Sequence, residues 1–442
     1  MSAAKAGRNE LKGQQGRVAI VDALRTPFAR IATHFRDMNS VDLGAMVAAE
    51  MVARNNLDAD TLDQIVFGQT IQASGTQFIG REVALAIGLP DVDAYSVTRA
   101  CATSFQSAAN AAESILLGHA DVVLAGGVDS TSDAPIPVSK KLASALRDAN
   151  FAKTAGQRVK ILSKLRPRDL LPVPPAITEY STGMLMGESA EQMAKVWNVP
   201  RSEQDDIAHA SHSNAANAWK QGKLDDFVMT AFLARGQGGK TEALHDDNLV
   251  RKNSERAGYD KLKPVFDKQL GTVTAANSSP LTDGAACLLL MSEDKAKALG
   301  YEPMAYIRGY AFAGKTPEDD LLMGPVLAAP VALERAGVTL KDMDLVDMHE
   351  AFAAQIACNI RGLASKDYIK KWTGRDQAVG EVDTAKLNVN GGSIAYGHPF
   401  GATGARVIGG MAHELKQRGG GLALTTACAA GGIGAAMVIE GA

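Results

Sequence analysis

The stretch from Val97 to Gly118, "VTRACATSFQSAANAAESILLG", turns a short β-branched run into a long Ala-rich amphipathic helix, with Cys101 at the junction. A cysteine so placed is either a small buried hydrophobe or a nucleophile whose thiolate the helix end stabilises. A helix N-terminus carries about half a positive charge. Its free N–H groups lower a thiol pKa and form a ready oxyanion hole. Position alone leaves both readings open.

Upstream of that junction, β-rich runs alternate with helix-like stretches: "VAIVDA" from Val18, Val41 to Arg54, "QIVFG" from Gln64, a helix after Gly80, and "DAYSVT" from Asp93. Downstream comes "ADVVLAGG" from Ala120. The alternation predicts an α/β fold with a parallel-rich sheet covered by helices. The same order returns near the C-terminus in "PMAYIRGYAF", a helix from about Val326 to Ala336, "DLVDMHEAF", "KLNVNGG", a Gly-led helix from Gly401, "GLALTTACAAGG" and "AAMVIEG". "TLDQIVFGQ" from Thr61 aligns with "DMDLVDMHE" from Asp342, so an internal duplication is expected, with equivalent strand and helix ends meeting at one central site.

These patterns divide the chain into a flexible tail (1–16), an N-terminal half (17–129 plus 272–299), an inserted loop domain (130–271) and a C-terminal half (300–442). The insert holds "SKKLASALRDANFAKTAGQRVKILSKLRPR" (139–168), where nine Lys and Arg residues interleave with Leu142, Leu146, Phe151, Leu162 and Leu165 at near-helical spacing. That pattern suits a solvated face, and equally contact with ligand phosphates, an anionic membrane or a partner.

With 442 residues, 46% hydrophobic and 21% charged, the chain is ordinary globular material, and a net charge of -3 disfavours nucleic acid as its main partner. The four cysteines, Cys101, Cys287, Cys358 and Cys428, form no C-x-x-C pair. That suits a reducing compartment and gives no support to structural zinc. The start lacks the apolar core of a secretory signal, and no apolar run reaches membrane-spanning length.

Three further motifs carry chemistry. "GGSIAYGHPFGATGAR" sets His398 among glycines ahead of a helix, a placement that suits proton transfer near neutral pH. It lacks the spacing of a phosphate-binding loop. "DMHEAFAAQ" puts His349 and Glu350 after a strand, and Ala353 stands where a H-E-x-x-H zinc site needs histidine. "TTACAAGGIG" places Cys428 before a glycine pair, where burial is the simplest reading.

Together these four motifs resemble the signature of the thiolase family, and the likeness covers the chain after about Arg17. Supporting matches are "RTP" at Arg25, "FGQTIQ" at Phe67, "AGGVDS" at Ala125, "GMLMGESAE" at Gly183 and "ANSSPLTDGAA" at Ala276. The sequence is most similar to the β subunits of fatty-acid oxidation complexes, which have histidine, as in His349, where most thiolases read "NEAF". The resemblance implies two βαβαβαββ halves packed as a five-layer α-β-α-β-α sandwich with an inserted loop domain.

It implies an acyltransferase that cleaves 3-ketoacyl-CoA with CoA in fatty acid β-oxidation, through an acyl-Cys101 intermediate. Cys101 is then the nucleophile and Cys428 the acid/base, its thiol tuned towards neutrality by His398. His398 and His349 hydrogen-bond the thioester oxygen of the leaving enolate. Glu350 orients His349 or a water. A second oxyanion hole uses the N–H groups of Cys101 and Ala430, the latter glycine in many thiolases. Ser279 matches a CoA contact, and Met186 and Phe352 match the thioester end of the pocket.

No metal or redox cofactor is expected, CoA and acyl-CoA being substrates. A homodimer or larger assembly, an α subunit with hydratase and dehydrogenase activities, and membrane contact through 140–168 are expected. So is a location in bacterial cytoplasm, the mitochondrial matrix being the other compartment compatible with the sequence. A biosynthetic acetoacetyl-CoA thiolase shares Cys101, His398 and Cys428. A decarboxylating ketoacyl synthase normally lacks the second cysteine, and a non-catalytic acyl-CoA-binding scaffold would keep the fold alone.

Overall fold

The computed structural model describes residues 11–14, 16–73, 75–173, 178–235 and 240–442. The N-terminal half runs β1 (Gly16–Arg25), α1 (Ser40–Arg54), β2 (Gln64–Gly68), α2 (Ile79–Ala86), β3 (Asp93–Val97), α3 (Thr103–Leu116) and β4 (Val122–Asp129). After α4 (Lys140–Phe151), α5 (Ala155–Leu162), α6 (Met186–Val196) and α7 (Arg201–Lys220), the half closes with β5 (Thr282–Ser292). The C-terminal half repeats the order: β6 (Ala305–Gly314), α8 (Gly324–Ala336), β7 (Leu345–Met348), α9 (Ala353–Ala364), α10 (Thr403–Arg418), β8 (Leu422–Ala429) and β9 (Ile433–Gly441).

The duplication is visible in the pairing. The first half has the order β3-β2-β4-β5-β1, parallel from β3 to β4 and antiparallel beyond. The second has β7-β8-β9-β6 with β7 and β8 parallel and the rest antiparallel, and a single parallel bridge from Val346 to Leu387 stands where its fifth strand belongs. β1 and β6 pair antiparallel and join the two. The sheet is thus mixed rather than mainly parallel. Helical crossovers enforce parallel pairing only between β2, β3 and β4 and between β7 and β8, whereas the short 430–432 turn makes β8 and β9 a hairpin.

Period-two alternation sorts the strand residues between three hydrophobic clusters. Ile65 and Phe67 face the cluster of α1 and α2, whereas Val66 faces a central cluster built on Phe105, Ala108 and Ala112 of α3 and Ile408, Met411 and Leu415 of α10. On β8, Ala423 joins the central cluster, and Leu424 joins the one under α8 and α9. The result is a five-layer α-β-α-β-α sandwich with α3 and α10 in the middle.

Two compact units divide the chain: Met1–Asp133 with Glu179–Ala442, and Ala134–Thr178. The separate unit is narrower than the 130–271 segment, because α6 and α7 belong with the halves; Ala190 and Met193 of α6, for example, lie in the α8/α9 cluster. Within the smaller unit, α4 and α5 carry the basic segment, capped by Ser139 and Thr154. Leu146, Phe151, Val159 and Leu162 stay exposed there. Of the expected tail (1–16), 1–10 and 15 lie outside the described residues, while Lys12 and Gly13 pair with Arg17 and Gly16. Among the described residues, no helix is long and apolar enough to cross a membrane.

Candidate active site

Cys101 does not sit inside the first turn of α3; it precedes it by two residues. Ala100 before it adopts φ 47°, a left-handed conformation that costs a residue with a Cβ about 1 kcal/mol or more. The neighbours over-determine it. Thr103 Oγ1 accepts from the Arg99 N–H at 2.7 Å and donates to the Ala100 carbonyl at 2.7 Å, and Thr70 Oγ1 donates to the same carbonyl at 3.1 Å.

The helix end does not lower the thiol pKa as the sequence suggested. Burial pushes Cys101 up to about 12, and Asp129 acts in the same direction, against hydrogen bonds to the sulfur from the backbone N–H groups of Ala430 and of Cys101 itself. Desolvation outweighs two donors, so the resting nucleophile is a neutral thiol.

Two histidines from the other half face it. His349 follows β7, its N–H bound to the Thr426 carbonyl at 2.9 Å. His398 lies at no strand end. The "KLNVNGG" run makes only the Leu387 bridge and stops at Gly391, whose φ is 87° and whose added Cβ would strike the Ser211 carbonyl at 2.7 Å. His398 is held instead by a bridge to Leu281 and by its N–H to the Pro280 carbonyl at 3.3 Å.

Each ring is fixed through Nδ1, His349 to Ser393 Oγ at 2.8 Å and His398 to Thr403 Oγ1 at 2.7 Å. Ser393 Oγ accepts from Arg406 Nη2 at 2.7 Å, so its own proton is available to His349 Nδ1, which leaves Nε2–H as a donor. Both Nε2 atoms are buried without a hydrogen-bond partner. Burial holds His398 down to about 3 and His349 well below its ordinary range, so both rings are neutral at pH 7.

One ring nitrogen from each histidine and the Cys101 sulfur lie within 4.8 Å of one another. Cys428, at the end of β8, is 1% exposed, and burial followed by the proximity of Cys101 pushes its thiol well up, not towards neutrality. Two thiols and two neutral imidazoles therefore cluster at one place, Cys101 half-buried and the other three buried.

The thiolase N-terminal domain model matches residues 18–294 and the C-terminal domain model residues 301–441. The chain belongs to the thiolase family. It is 57% identical over 437 residues to the 3-ketoacyl-CoA thiolase of Pseudoalteromonas translucida, covering 98% of this chain and 99% of that one. It is 56% identical to that of Klebsiella pneumoniae, covering 97% of each. Among solved structures, human mitochondrial 3-ketoacyl-CoA thiolase matches with TM-score 0.81 at 32% identity, covering 98% of this chain and 99% of that one. The Bacillus anthracis acetyl-CoA acetyltransferase matches with TM-score 0.81 at 32% identity, covering 98% and 100%.

Ser279 is half-buried, with its N–H on the Ala351 carbonyl at 3.0 Å, in a segment that bridges Phe352 at Ser278 and His398 at Leu281. Met186 and Phe352 both pack on the cluster that includes Cys428. Glu350 makes no direct hydrogen bond to His349 among the described residues. Its two carboxylate oxygens are engaged by Ser211 Oγ at 2.6 Å, Asn388 Nδ2 at 2.7 Å and the Ile394 N–H at 3.1 Å. It fixes the loop that carries Ser393, and Ser393 in turn orients His349.

Residues not singled out from sequence hold the two halves in register. Asp129, fully buried, accepts from the N–H groups of Ile71 at 2.7 Å, Thr70 at 3.0 Å and Gly401 at 2.7 Å. Burial raises its carboxyl to about 6. Ser104 Oγ accepts the Ala405 N–H at 2.8 Å, so the starts of α3 and α10 touch. Close approach requires glycine there: an added Cβ would lie 2.0 Å from the Gly401 carbonyl at Gly127, and 2.5 Å from the Phe105 nitrogen at Gly404. The signal for Asp129 was present in "AGGVDS", a carboxylate ending an apolar strand opposite the nucleophile's turn.

Proposed function

We propose that this thiolase is a 3-ketoacyl-CoA thiolase (acetyl-CoA C-acyltransferase), cleaving 3-ketoacyl-CoA with CoA in fatty acid β-oxidation. The convergence of Cys101 with two neutral imidazoles inside 4.8 Å carries the reading, and the names of the 56–57% identical relatives support it.

The neutral resting thiol must lose its proton as it attacks. His398, with its Nδ1 proton on Thr403, takes that proton at Nε2 while Cys101 sulfur bonds to the 3-keto carbon. The tetrahedral oxyanion is received by the N–H groups of Cys101 and Ala430, the two backbone donors that act to lower the Cys101 thiol pKa. The C2–C3 bond then breaks. Its electron pair passes to the acetyl-CoA enolate, whose oxygen is bound by His349 Nε2–H and protonated His398. Cys428 gives its proton to the enolate carbon, and acetyl-CoA leaves. The Cys428 thiolate next removes the proton of incoming CoA, whose sulfur attacks the acyl-Cys101 thioester; the shortened acyl-CoA is released and Cys101 leaves as the thiolate, taking back the proton that His398 holds.

The β-carbonyl already activates the broken bond, so the scheme uses no metal or redox cofactor. CoA is a substrate, contacted in this reading at Ser279, with Met186 and Phe352 along the thioester end. The likeness to human mitochondrial 3-ketoacyl-CoA thiolase in complex with CoA supports that assignment.

The reading extends to a homodimer or larger assembly, a hydratase/dehydrogenase α subunit and a location in bacterial cytoplasm. For the 134–178 unit it assigns docking to that partner or to membrane. Its exposed Leu146, Phe151, Val159 and Leu162 among Lys and Arg residues support such docking over CoA binding. Charge reversal there that raised the KM for CoA without changing complex assembly or liposome binding would remove this part.

The acetyl-CoA acetyltransferase among the structural matches favours a second reading, a biosynthetic acetoacetyl-CoA thiolase. Thiolysis rates across 3-ketoacyl-CoA substrates of graded length test the choice. Turnover of medium and long chains is expected; turnover confined to acetoacetyl-CoA would replace the first reading with the second.

A further inference from the structure

We infer that Cys101, His349 and His398 form a binding site for a soft divalent metal ion, Zn2+ in the first instance, which blocks the nucleophile. The inference rests on the geometry of these three side chains and not on the reaction proposed above.

Their donor atoms, one sulfur and two ring nitrogens, lie within 4.8 Å of one another. A sulfur with two imidazoles is a donor set that suits zinc, and also copper. Bond lengths of about 2.1 Å to nitrogen and 2.3 Å to sulfur place tetrahedral ligands less than about 4 Å apart, so side-chain rotations of about 1 Å close the site. His349 is 0% and His398 5% exposed, and the Nε2 atom of each has no hydrogen-bond partner.

The outer edges of the rings are built as a metal site requires. Nδ1 of each is already held by a hydroxyl, Ser393 or Thr403, the kind of support that fixes ring orientation around a bound ion. Asp129 adds negative charge near the sulfur. Arg406 adds positive charge near both rings, partly offset by Asp347 at 3.5 Å.

Binding is balanced by one proton. The Cys101 thiol loses its proton to solvent as the S–Zn bond forms. His349 keeps its proton but carries it on Nδ1, donating to Ser393 Oγ, so that Nε2 offers its lone pair. Water completes the fourth position. The second imidazole decides affinity, because asparagine at position 349 leaves only one nitrogen and one sulfur.

The test is titration of the full-length protein with Zn2+, and separately with Co2+, in the native form and as Cys101→Ser, His349→Asn and His398→Asn, with folding of each variant checked by thermal melting. One high-affinity ion per chain is expected, with a thiolate-to-cobalt charge-transfer band that disappears in Cys101→Ser. Each histidine substitution should weaken binding by about a hundredfold. A cobalt complex without that band, or zinc affinity unchanged in both Cys101→Ser and His349→Asn, would mean adventitious surface binding only and overturn the inference. Because the readouts are stoichiometry and spectra, a failure here is distinct from a failure to turn over 3-ketoacyl-CoA.

Discussion

The rings of His349 and His398 lie 4.1 Å apart, centroid to centroid, tilted by 39°, and each is tied through Nδ1 to a separate hydroxyl. Two neutral imidazoles stacked in this way have their Nε2 atoms free for substrate. Their roles then depend on the groups behind them.

Ser393 is the group behind His349. Ser393→Ala removes the hydroxyl that joins Arg406 Nη2 to His349 Nδ1. It should lower kcat for thiolysis by roughly tenfold to a hundredfold with little change in KM, because the lost contact aims a transition-state donor. Steady-state kinetics on one substrate check this; a change in KM alone would contradict it.

Asp129 sets a pH dependence. Its carboxyl is held up to about 6, so above that pH it is charged and grips Thr70, Ile71 and Gly401, and below it the grip weakens. Asp129→Asn should be about tenfold slower at pH 8. The wild-type advantage should shrink towards pH 5, where the native carboxyl is protonated. Parallel pH–rate profiles measure the ratio, and a ratio constant from pH 8 to 5 would exclude this role.

Cys428→Ala separates carbon–carbon chemistry from simple acyl transfer. Loss of the proton donor should slow thiolysis of 3-ketoacyl-CoA by a factor on the order of a thousand, while Cys101 is still labelled by a plain acyl-CoA. Equal loss of both would assign Cys428 to the architecture of the pocket.

Gly127→Ala tests the seam between the halves. The added methyl meets the Gly401 carbonyl at 2.0 Å, so one of the two backbone segments must shift. Destabilisation of about 2–4 kcal/mol is expected, read as a lower midpoint in denaturant.

His212 gives a stability signature outside the catalytic cluster. Burial, then Arg251 and His209, hold it down to about 4 from 6.5. Above pH 6.5 both folded and unfolded forms are neutral there. As pH falls towards 4, only the unfolded chain takes up the proton, so stability is lost. The difference in unfolding free energy between wild type and His212→Gln should therefore fall by about 3 kcal/mol from pH 7 to pH 4.

The strand–helix alternation and the duplication were legible because each rests on local periodicity: "QIVFG" and "DAYSVT" fall on β2 and β3, and Thr61 and Asp342 lead equivalent strands. The four chemical residues were legible from their motifs. Protonation was not, because the pKa of Cys101 depends on burial between halves that meet only in the fold. The indirect route from Glu350 to His349 was hidden for the same reason: its partner Ser211 lies 139 positions away. The 130–271 boundary failed where α6 and α7, polar in sequence, pack through narrow apolar stripes onto the C-terminal half.

The central claim is that Cys101 carries the acyl group. Incubating the protein with 3-ketoacyl-CoA in the absence of CoA, followed by intact-mass measurement and peptide mapping, tests it directly. One acyl adduct per chain on Cys101 is predicted, with release of acetyl-CoA and no adduct in Cys101→Ser. No adduct on the native protein, or one that persists in Cys101→Ser, would contradict it.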